Sequence, residues 1–469
     1  MLRVMSDRQA DAWLWFALFA WVVTCVHQAL GMVMQVPVII YLVSRCDMKA
    51  LPALMILMLG PKNIAALSET TYALRLGITI TPMSCFSLST FFFVLYRLVT
   101  NRYDRATSAF GWFWMLSAIP AFWISFQAKS FGLQGIWSGP VMSFLAPAVY
   151  FWGVSMGCTY EQGRHYFVIR ILWVMMLYSL GFLLLLMAGF TFIPSVMILC
   201  LAMYMQMGQE YSHSRFIAVV AVLISLAWLL FGRAKGLEAA GLDVAEADKI
   251  GSTFSAMAVV ALGVLLSVEI SRNFMRRFAR ILPILMVVAN VILVSFVITT
   301  QGGNRAKEVD DSEKFQTLQN RFMYKLFGDR ATVWAAGWED AMTPPYIIKD
   351  LRIFYTGDAA GGQGMKLLPH NQYLTFASQN GWWLGLVLSL FIIWVQIRAF
   401  RVMTYLPQDK FISKVVVPVG ASIFCVLGLS GNSCLGGDLW GNGLATSVLP
   451  GVVYGYWGWR RAHANFLVK

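Results

Sequence analysis

The segment Gly381–Ile397 has the sequence GWWLGLVLSLFIIWVQI and contains no Asp, Glu, Lys or Arg. A helix needs about 20 predominantly apolar residues to cross the hydrocarbon core of a bilayer. Comparable apolar stretches recur along the chain, at Leu76–Leu95, Ile171–Phe190, Ser252–Ile270 and Ile281–Thr300. A water-soluble fold would have to bury all of these stretches in one core. The sequence therefore predicts a polytopic membrane protein.

The composition agrees with a membrane protein. Of the 469 residues, 58% are hydrophobic and 13% are charged, whereas ordinary soluble domains have roughly 25% charged residues. The 18 Trp and 33 Phe suit a protein with aromatic side chains at both membrane interfaces. The seven Cys are scattered without a Cys-x-x-Cys pair. Neither a zinc site nor a disulfide framework is indicated.

The net charge of +13 encodes orientation rather than nucleic-acid binding. Short loops that are rich in Lys and Arg stay on the cytoplasmic side of a membrane. The basic residues of this chain cluster beside apolar runs in loops of this kind, namely Arg45–Lys49, Arg97–Arg105, Arg164–Arg170, Arg272–Arg280 and Arg398–Lys414. This pattern predicts an all-α fold of about 12–14 transmembrane helices with both termini in the cytoplasm.

Three regions follow from this topology. An N-terminal bundle of transmembrane helices covers residues 1–300, a large periplasmic loop covers residues 301–376, and C-terminal transmembrane helices cover residues 377–469. Tight helical hairpins are predicted around His27–Gly31 and Gly189–Pro194. The large loop is far longer than the usual connection, and loops of that size are commonly functional.

The loop has a helical pattern of its own. Apolar residues recur at helical spacing between positions 315 and 327, and Arg330, Trp334 and Trp338 continue one face at intervals of four. Pro344–Pro345 is predicted to end that helix. The sequence thus predicts a folded, partly helical loop rather than a disordered one.

His370 is the only one of the five His that lies in this loop. It begins the stretch His370-Asn371-Gln372-Tyr373-Leu374, directly before the next predicted membrane helix. With a reference pKa of about 6.5, an imidazole at that boundary can take up or release a proton at neutral pH. The alternative is structural, because His370 could instead cap the following helix or hydrogen-bond locally.

The order of these features resembles a known family. Arg330 and Trp334 form an Arg-x-x-x-Trp segment, Pro344–Pro345 follows, the His-Asn-x-Tyr-Leu motif begins at His370, and Gly381 and Gly385 form a Gly-x-x-x-Gly pair. In this order and spacing the region from Arg330 to Trp394 resembles the superfamily of bacterial O-antigen ligases and Wzy-type polysaccharide polymerases. The rest of the chain matches only in being apolar and polytopic.

The resemblance implies glycosyl transfer at the periplasmic face of the inner membrane. The donor would be an undecaprenyl-diphosphate-linked glycan, and the acceptor either another lipid-linked repeat unit or lipid A-core. His370 would orient or deprotonate the acceptor hydroxyl, which implies an inverting enzyme without a metal or other cofactor. A polymerase of this family also implies a flippase and a chain-length regulator as partners.

Guanidinium groups would hold the diphosphate, because arginine binds phosphate oxygens in bidentate fashion. The resemblance points to Arg330 first, and Arg233 and Arg305 are further candidates in predicted outside segments. For each arginine the alternative is a salt bridge to a nearby acid. The resemblance also gives Asn371, Tyr373, Trp334 and Trp338 supporting or substrate-binding roles. The two Trp could equally pack the core of the loop.

Other readings of the chain stay open at this point. About fourteen helices favour a polymerase over a ligase, since ligases of this family have about twelve. A double-displacement mechanism would need a carboxylate nucleophile, for which Asp329, Glu339 and Asp340 are near enough in sequence. A flippase or exporter of lipid-linked glycan is the third possibility. Transporters place charged residues in mid-membrane, whereas those of this chain fall near the ends of the apolar stretches.

Overall fold

The computed structural model describes residues 4–58, 74–75, 79–80, 82–127, 146–184, 337–348, 371–430 and 443–467, with Trp334 and isolated positions within 216–224 and 277–292. These residues are helical apart from one short ribbon and connecting turns, which confirms the all-α class. The helices are α1 (Asp7–Val26), α2 (Gln28–Arg45), α3 (Leu51–Leu57), α4 (Pro82–Val99), α5 (Arg105–Gln127), α6 (Ala146–Met156), α7 (Tyr160–Leu184), α8 (Gln372–Tyr405), α9 (Val417–Ser430) and α10 (Leu449–Leu467).

Shorter helical turns connect several of these helices. Two are 3₁₀ turns, at Met48–Ala50 and Gly157–Thr159. Two are π-helical turns, at Ile412–Val416 and Leu444–Val448. Each of the four runs directly into the helix that follows it, so α3, α7, α9 and α10 begin without a loop.

Helices α1 and α2 form the tight hairpin predicted around His27–Gly31. His27 ends α1 and begins α2, and its Nδ1 accepts a hydrogen bond of 3.2 Å from the backbone N–H of Leu30. Gly31 lets the helices meet, because a Cβ there would lie 2.0 Å from Oγ1 of Thr24. Gln35 donates to the same oxygen at 2.8 Å. The second predicted hairpin, at Gly189–Pro194, lies outside the described residues.

The helix predicted over Leu76–Leu95 was placed too early in the chain. Strands β1 (Leu74–Arg75) and β2 (Thr79–Ile80) form a two-stranded antiparallel ribbon, with Leu74 opposite Ile80. Helix α4 begins only at Pro82. Thr79 and Ile80 are β-branched and suit a strand, and a proline is well tolerated in the first turn of a helix because it has no N–H to satisfy.

Aromatic side chains fill the contact between α5, α6 and α8. Phe110 stacks on Trp394 with ring centroids 4.4 Å apart, and Trp114 stacks on Phe151 at 5.8 Å. Phe391 packs against Phe151 from the third side. The rings of Trp114, Phe151 and Phe391 are fully buried. This cluster fixes α8, which carries the predicted site, against the rest of the bundle.

Within the described residues, two helices are long and apolar enough to cross a bilayer, Asp7–Val26 and Gly381–Tyr405. Shorter apolar helices, at Ala29–Arg45, Met48–Leu57, Cys85–Val99 and Ile412–Ile423, fall below that length. The predicted count of about 12–14 spans stays a prediction.

Four of the predicted basic loops meet at one end of the bundle, which we call the basic end. Met48 donates its backbone N–H to Oγ1 of Thr159 at 3.1 Å, joining the first loop to the start of α7. Arg164 pairs with Asp409 at 3.1 Å, and Arg398 donates to Oγ1 of Thr107 at 2.8 Å. The predicted loops are thus neighbours in space. Of the fifth loop, Arg272–Arg280, only Arg277 is described, and it is exposed.

Candidate functional site

Four of the predicted site residues are described, and they lie close together. Asn371 and Tyr373 are at the start of α8, while Trp334 and Trp338 belong to the loop helix, of which Trp334 and residues 337–341 are described. The predicted catalytic residue, His370, lies outside the described residues. So do the predicted diphosphate ligands, which are Arg330, Arg233 and Arg305.

Asn371 is the N-cap of α8. Its side-chain oxygen accepts hydrogen bonds from the backbone N–H groups of Tyr373 and Leu374, both at 3.1 Å, and the residue is fully buried. A side-chain acceptor at this position satisfies N–H groups that have no partner inside the helix. The capping role considered for His370 therefore belongs to its neighbour. The imidazole of His370 is not needed to start the helix.

Helix α8 is in fact two helices joined at Gly381. This residue has φ 82° and ψ 167°, outside helical geometry. We call residues 372–380 the motif helix and Gly381–Tyr405 the long helix. A Cβ on Gly385 would lie 3.0 Å from Cα of Ala377, whereas residues eight apart in a straight helix are about 12 Å apart. The motif helix consequently folds back over the first turn of the long helix.

The break at Gly381 is occupied by the loop segment that follows Pro344–Pro345. The backbone N–H groups of Trp382 and Trp383 donate to the carbonyl oxygens of Tyr346 and Ile347, both at 2.9 Å. These N–H groups begin the long helix and would otherwise lack partners. A Cβ on Gly381 would lie 2.5 Å from the Ile347 oxygen, so the close approach requires glycine. The sequence pattern identified this glycine but not its partner segment.

The loop helix packs on the motif helix through its two Trp. Trp334 is 4% exposed and forms a small apolar cluster with Ala341, Leu374 and Ala377. Trp338 packs against this cluster, and its ring meets Trp382 edge to face with centroids 5.6 Å apart. The helix ends at Ala341, before Pro344–Pro345, as predicted.

This burial favours core packing over sugar stacking as the role of Trp334. Its indole Nε1 is also buried, and it has no hydrogen-bond acceptor among the residues that the structure describes. Leaving such a donor unsatisfied costs about 1–3 kcal/mol. Trp338 is only partly buried and is the better placed of the two rings to contact a ligand.

The motif helix carries several polar side chains that are removed from water. Gln372, Thr375 and Ser378 are at most 3% exposed, and the Ser378 hydroxyl donates to the Thr375 carbonyl at 3.1 Å. Polar groups in such a low-dielectric setting act more strongly on charge than they do in water. The sequence analysis gave none of these three residues a role, although Gln372 lies in the stretch that begins at His370, since single Ser, Thr and Gln side chains give no distinctive pattern.

Acidic residues near the loop helix are less enclosed. Glu339 is exposed and Asp340 is half-buried, which suits solvated helix charges better than a nucleophile held against a substrate. Asp329 lies outside the described residues. Among the residues that the structure describes, no group of three or more His, Cys, Asp or Glu side chains could hold a metal ion.

Comparisons with known proteins give no relative for this chain. No protein-family model, no curated protein and no solved structure matches it. The assignment of a function consequently depends on the residues themselves.

Proposed function

We propose that the chain is a multi-pass inner-membrane glycosyltransferase acting on undecaprenyl-diphosphate-linked glycan at the periplasmic face. The proposed reaction is polymerisation of O-antigen or exopolysaccharide repeat units. One observation carries the proposal: His370 directly precedes the buried cap of a short helix that folds back at the end of a 25-residue apolar helix. A titratable group in this position lies where a lipid-linked substrate and water meet.

The arrangement of the basic end supports the proposed orientation. Arg398, on the long helix, lies at the basic end, and Gly381 is near its opposite terminus. At 1.5 Å per residue, Gly381–Tyr405 is about 37 Å long, enough to cross a hydrocarbon core of about 30 Å. If the basic loops are cytoplasmic, as the positive-inside rule predicts, the motif helix and His370 face the periplasm.

In the proposed reaction the acceptor hydroxyl attacks the anomeric carbon of the donor sugar. His370 orients the hydroxyl and accepts its proton as the new glycosidic bond forms. The bond to the diphosphate breaks, and undecaprenyl diphosphate leaves with the electron pair. Arg330, assisted by Arg233 and Arg305, stabilises the charge that develops on this leaving group. Direct displacement inverts the anomeric configuration and uses no cofactor.

The test is the glycan profile of cells carrying His370→Ala, compared with wild type and with a deletion strain. His463→Ala is the matched control, because His463 is exposed on α10 at the basic end. Immunoblots of the membrane fraction verify that both variants reach normal amounts. Polymer should fall at least a hundredfold in His370→Ala, within the usual range for a lost general base, and stay unchanged in His463→Ala.

The species that accumulates identifies the acceptor. Single repeat units on the lipid carrier or on lipid A-core indicate a polymerase, the reaction proposed here. Full-length polymer on undecaprenyl diphosphate, with bare lipid A-core, indicates a ligase that uses the same site. A wild-type profile at normal protein level in His370→Ala would contradict the role of His370 in transfer.

A further inference from the structure

A cavity of about 770 Å³ lies at the basic end, far along the long helix from Gly381. It lies between the ends of α4, α5, α6, α8 and α10. Asp104 is the only acidic residue among the described lining residues. Five guanidinium groups line the cavity, those of Arg97, Arg102, Arg398, Arg401 and Arg461. The described lining therefore carries a net charge of about +4 at neutral pH.

The one carboxylate of the lining is already engaged. Oδ1 of Asp104 accepts hydrogen bonds of 3.1 Å from the backbone N–H groups of Ala106 and Thr107, and the Thr107 hydroxyl bonds to Oδ2. Asp104 thus caps α5 and has little remaining capacity to bind the arginines. Within the part of the chain that the structure describes, the positive charge of the cavity is left largely uncompensated.

Arg398 is held in place by rings rather than by an acid. It is 8% exposed, and its guanidinium carbon lies 3.8 Å from the ring centre of Trp394 and 4.0 Å from that of Tyr454. A hydrogen bond to Thr107 fixes one nitrogen. Such stacking orients the planar group. The Tyr150 side chain is also close to the guanidinium, and most of the five N–H groups are left for a ligand. Among the described residues, no carboxylate forms an ion pair with it.

Arg97 and Tyr103, which also line the cavity, likewise provide no negative charge to balance the arginines. Nε of Arg97 is buried and has no acceptor among the described residues, although its guanidinium lies over the ring of Tyr103 at 5.6 Å. Burial raises the pKa of Tyr103, so its phenol stays neutral and adds no negative charge. A buried cation such as Arg398 is costly unless an anion accompanies it.

We propose that this cavity binds the phosphate groups of an anionic phospholipid headgroup. Arginine forks match phosphate oxygens in bidentate geometry. A volume of about 770 Å³ is far larger than one phosphate ion and suits a headgroup with attached glycerol. Trp457 and Trp459 line the same cavity, and Trp is typical of the headgroup level of a membrane.

Basic pockets between transmembrane helices on the cytoplasmic side are a known type of site for such headgroups. The site is separate from the motif helix and does not depend on glycosyl transfer. The inference that the phosphate belongs to a lipid rests on the membrane location proposed above. A net charge of about +4 further predicts that a headgroup with two phosphates binds more tightly than one with a single phosphate.

The experiment uses the purified full-length chain in neutral detergent. Cardiolipin, phosphatidylglycerol, phosphatidylcholine and inorganic phosphate are titrated separately, and bound lipid is measured by native mass spectrometry, with the shift in Tm as a second readout. The test variant is Arg401→Gln combined with Arg461→Gln, since both side chains are exposed and their loss should not disturb the core. Arg460→Gln is the control, because Arg460 is exposed beside Arg461 on α10 but does not line the cavity.

Cardiolipin should bind most tightly and phosphatidylcholine least. The double variant should lose roughly tenfold or more in affinity for cardiolipin, whereas Arg460→Gln should change it less than about twofold. Equal loss in the control and the double variant would overturn the proposal, because it would indicate nonspecific charge attraction. Stabilisation by inorganic phosphate alone, without lipid binding, would overturn the lipid assignment.

Discussion

Gly381 makes the break in α8 possible, because its backbone has φ 82° and its missing side chain leaves room for the Ile347 carbonyl. Replacement by Ala adds a Cβ 2.5 Å from that oxygen. A residue with a Cβ also adopts this positive-φ, extended backbone conformation only at a cost of about 1–3 kcal/mol. We expect Gly381→Ala to cost about 2 kcal/mol or more and to abolish polymer formation. Glycan profiles and membrane protein levels measure the two effects.

Gly385→Ala gives a graded comparison for the same helix break. A Cβ there would lie 3.0 Å from Cα and N of Ala377, a contact that a small movement can relieve, and the backbone of Gly385 is helical. Its effect should therefore be clearly smaller than that of Gly381→Ala. Wild-type polymer in cells carrying Gly381→Ala would contradict the role of the break in positioning the motif helix.

At the residue scale, the sequence predicted which residues belong to the candidate site better than it predicted what each of them contacts. The sequence resemblance drew attention to Asn371, Trp334 and Trp338, and all three lie in one packed unit. It could not say that Asn371 caps a helix rather than contacting a substrate, or that Trp334 is buried. Those outcomes depend on how two distant segments pack, and periodicity within either segment carries no information about that packing.

At the scale of elements, glycines on both sides bring α6 and α10 into close contact. Gly153 on α6 and Gly157 in the 3₁₀ turn directly after it face Gly451 and Gly455 on α10, in matching Gly-x-x-x-Gly spacings. A Cβ on Gly455 would lie 2.0 Å from the Val154 carbonyl oxygen. Small residues at this spacing let two backbones approach closely, which drives helix association in membranes.

Gly455→Ala should consequently force α6 and α10 apart. Because the obstructing atom belongs to the backbone and cannot rotate away, we expect a loss of stability of about 2–4 kcal/mol, measured as a lower Tm of the purified protein. Gly458→Ala is the matched control on the same helix, since nothing lies within 4 Å of a Cβ there. It should be neutral or slightly stabilising. An equal Tm for the two variants would contradict the close packing.

The helices themselves were partly predictable and their pairing was not. Apolar length located the long helix, and charge clusters located the ends that meet at Asp409 and Thr107. The ribbon before Pro82 was missed, because Leu76–Leu95 is uncharged and mostly apolar, and hydropathy does not separate a strand from a helix. The paired glycines of α6 and α10 were missed as well, since the two motifs are almost three hundred positions apart in the chain.

At the scale of the whole molecule, the two candidate sites lie at opposite ends of one helix. The motif helix precedes Gly381, while Arg398 lies in the basic cavity. These residues are seventeen positions apart, or about 25 Å along a helix. The proposed orientation therefore has a consequence that can be tested without measuring activity. Residues at the loop end and at the basic end should be accessible from opposite sides of the membrane.

Single cysteines at Thr343 and Lys410 test this orientation, because both positions are exposed, one beside the loop helix and the other at the basic end. They are introduced into a chain whose seven native Cys are replaced by Ser, after normal membrane levels have been verified. In intact cells a membrane-impermeant maleimide should label Thr343→Cys and leave Lys410→Cys unlabelled. Both should react after the inner membrane is opened. Reversed labelling would place the loop and His370 on the cytoplasmic side, which would contradict a polymerase that acts at the periplasmic face. Labelling of both positions in intact cells would mean that the long helix does not span the bilayer.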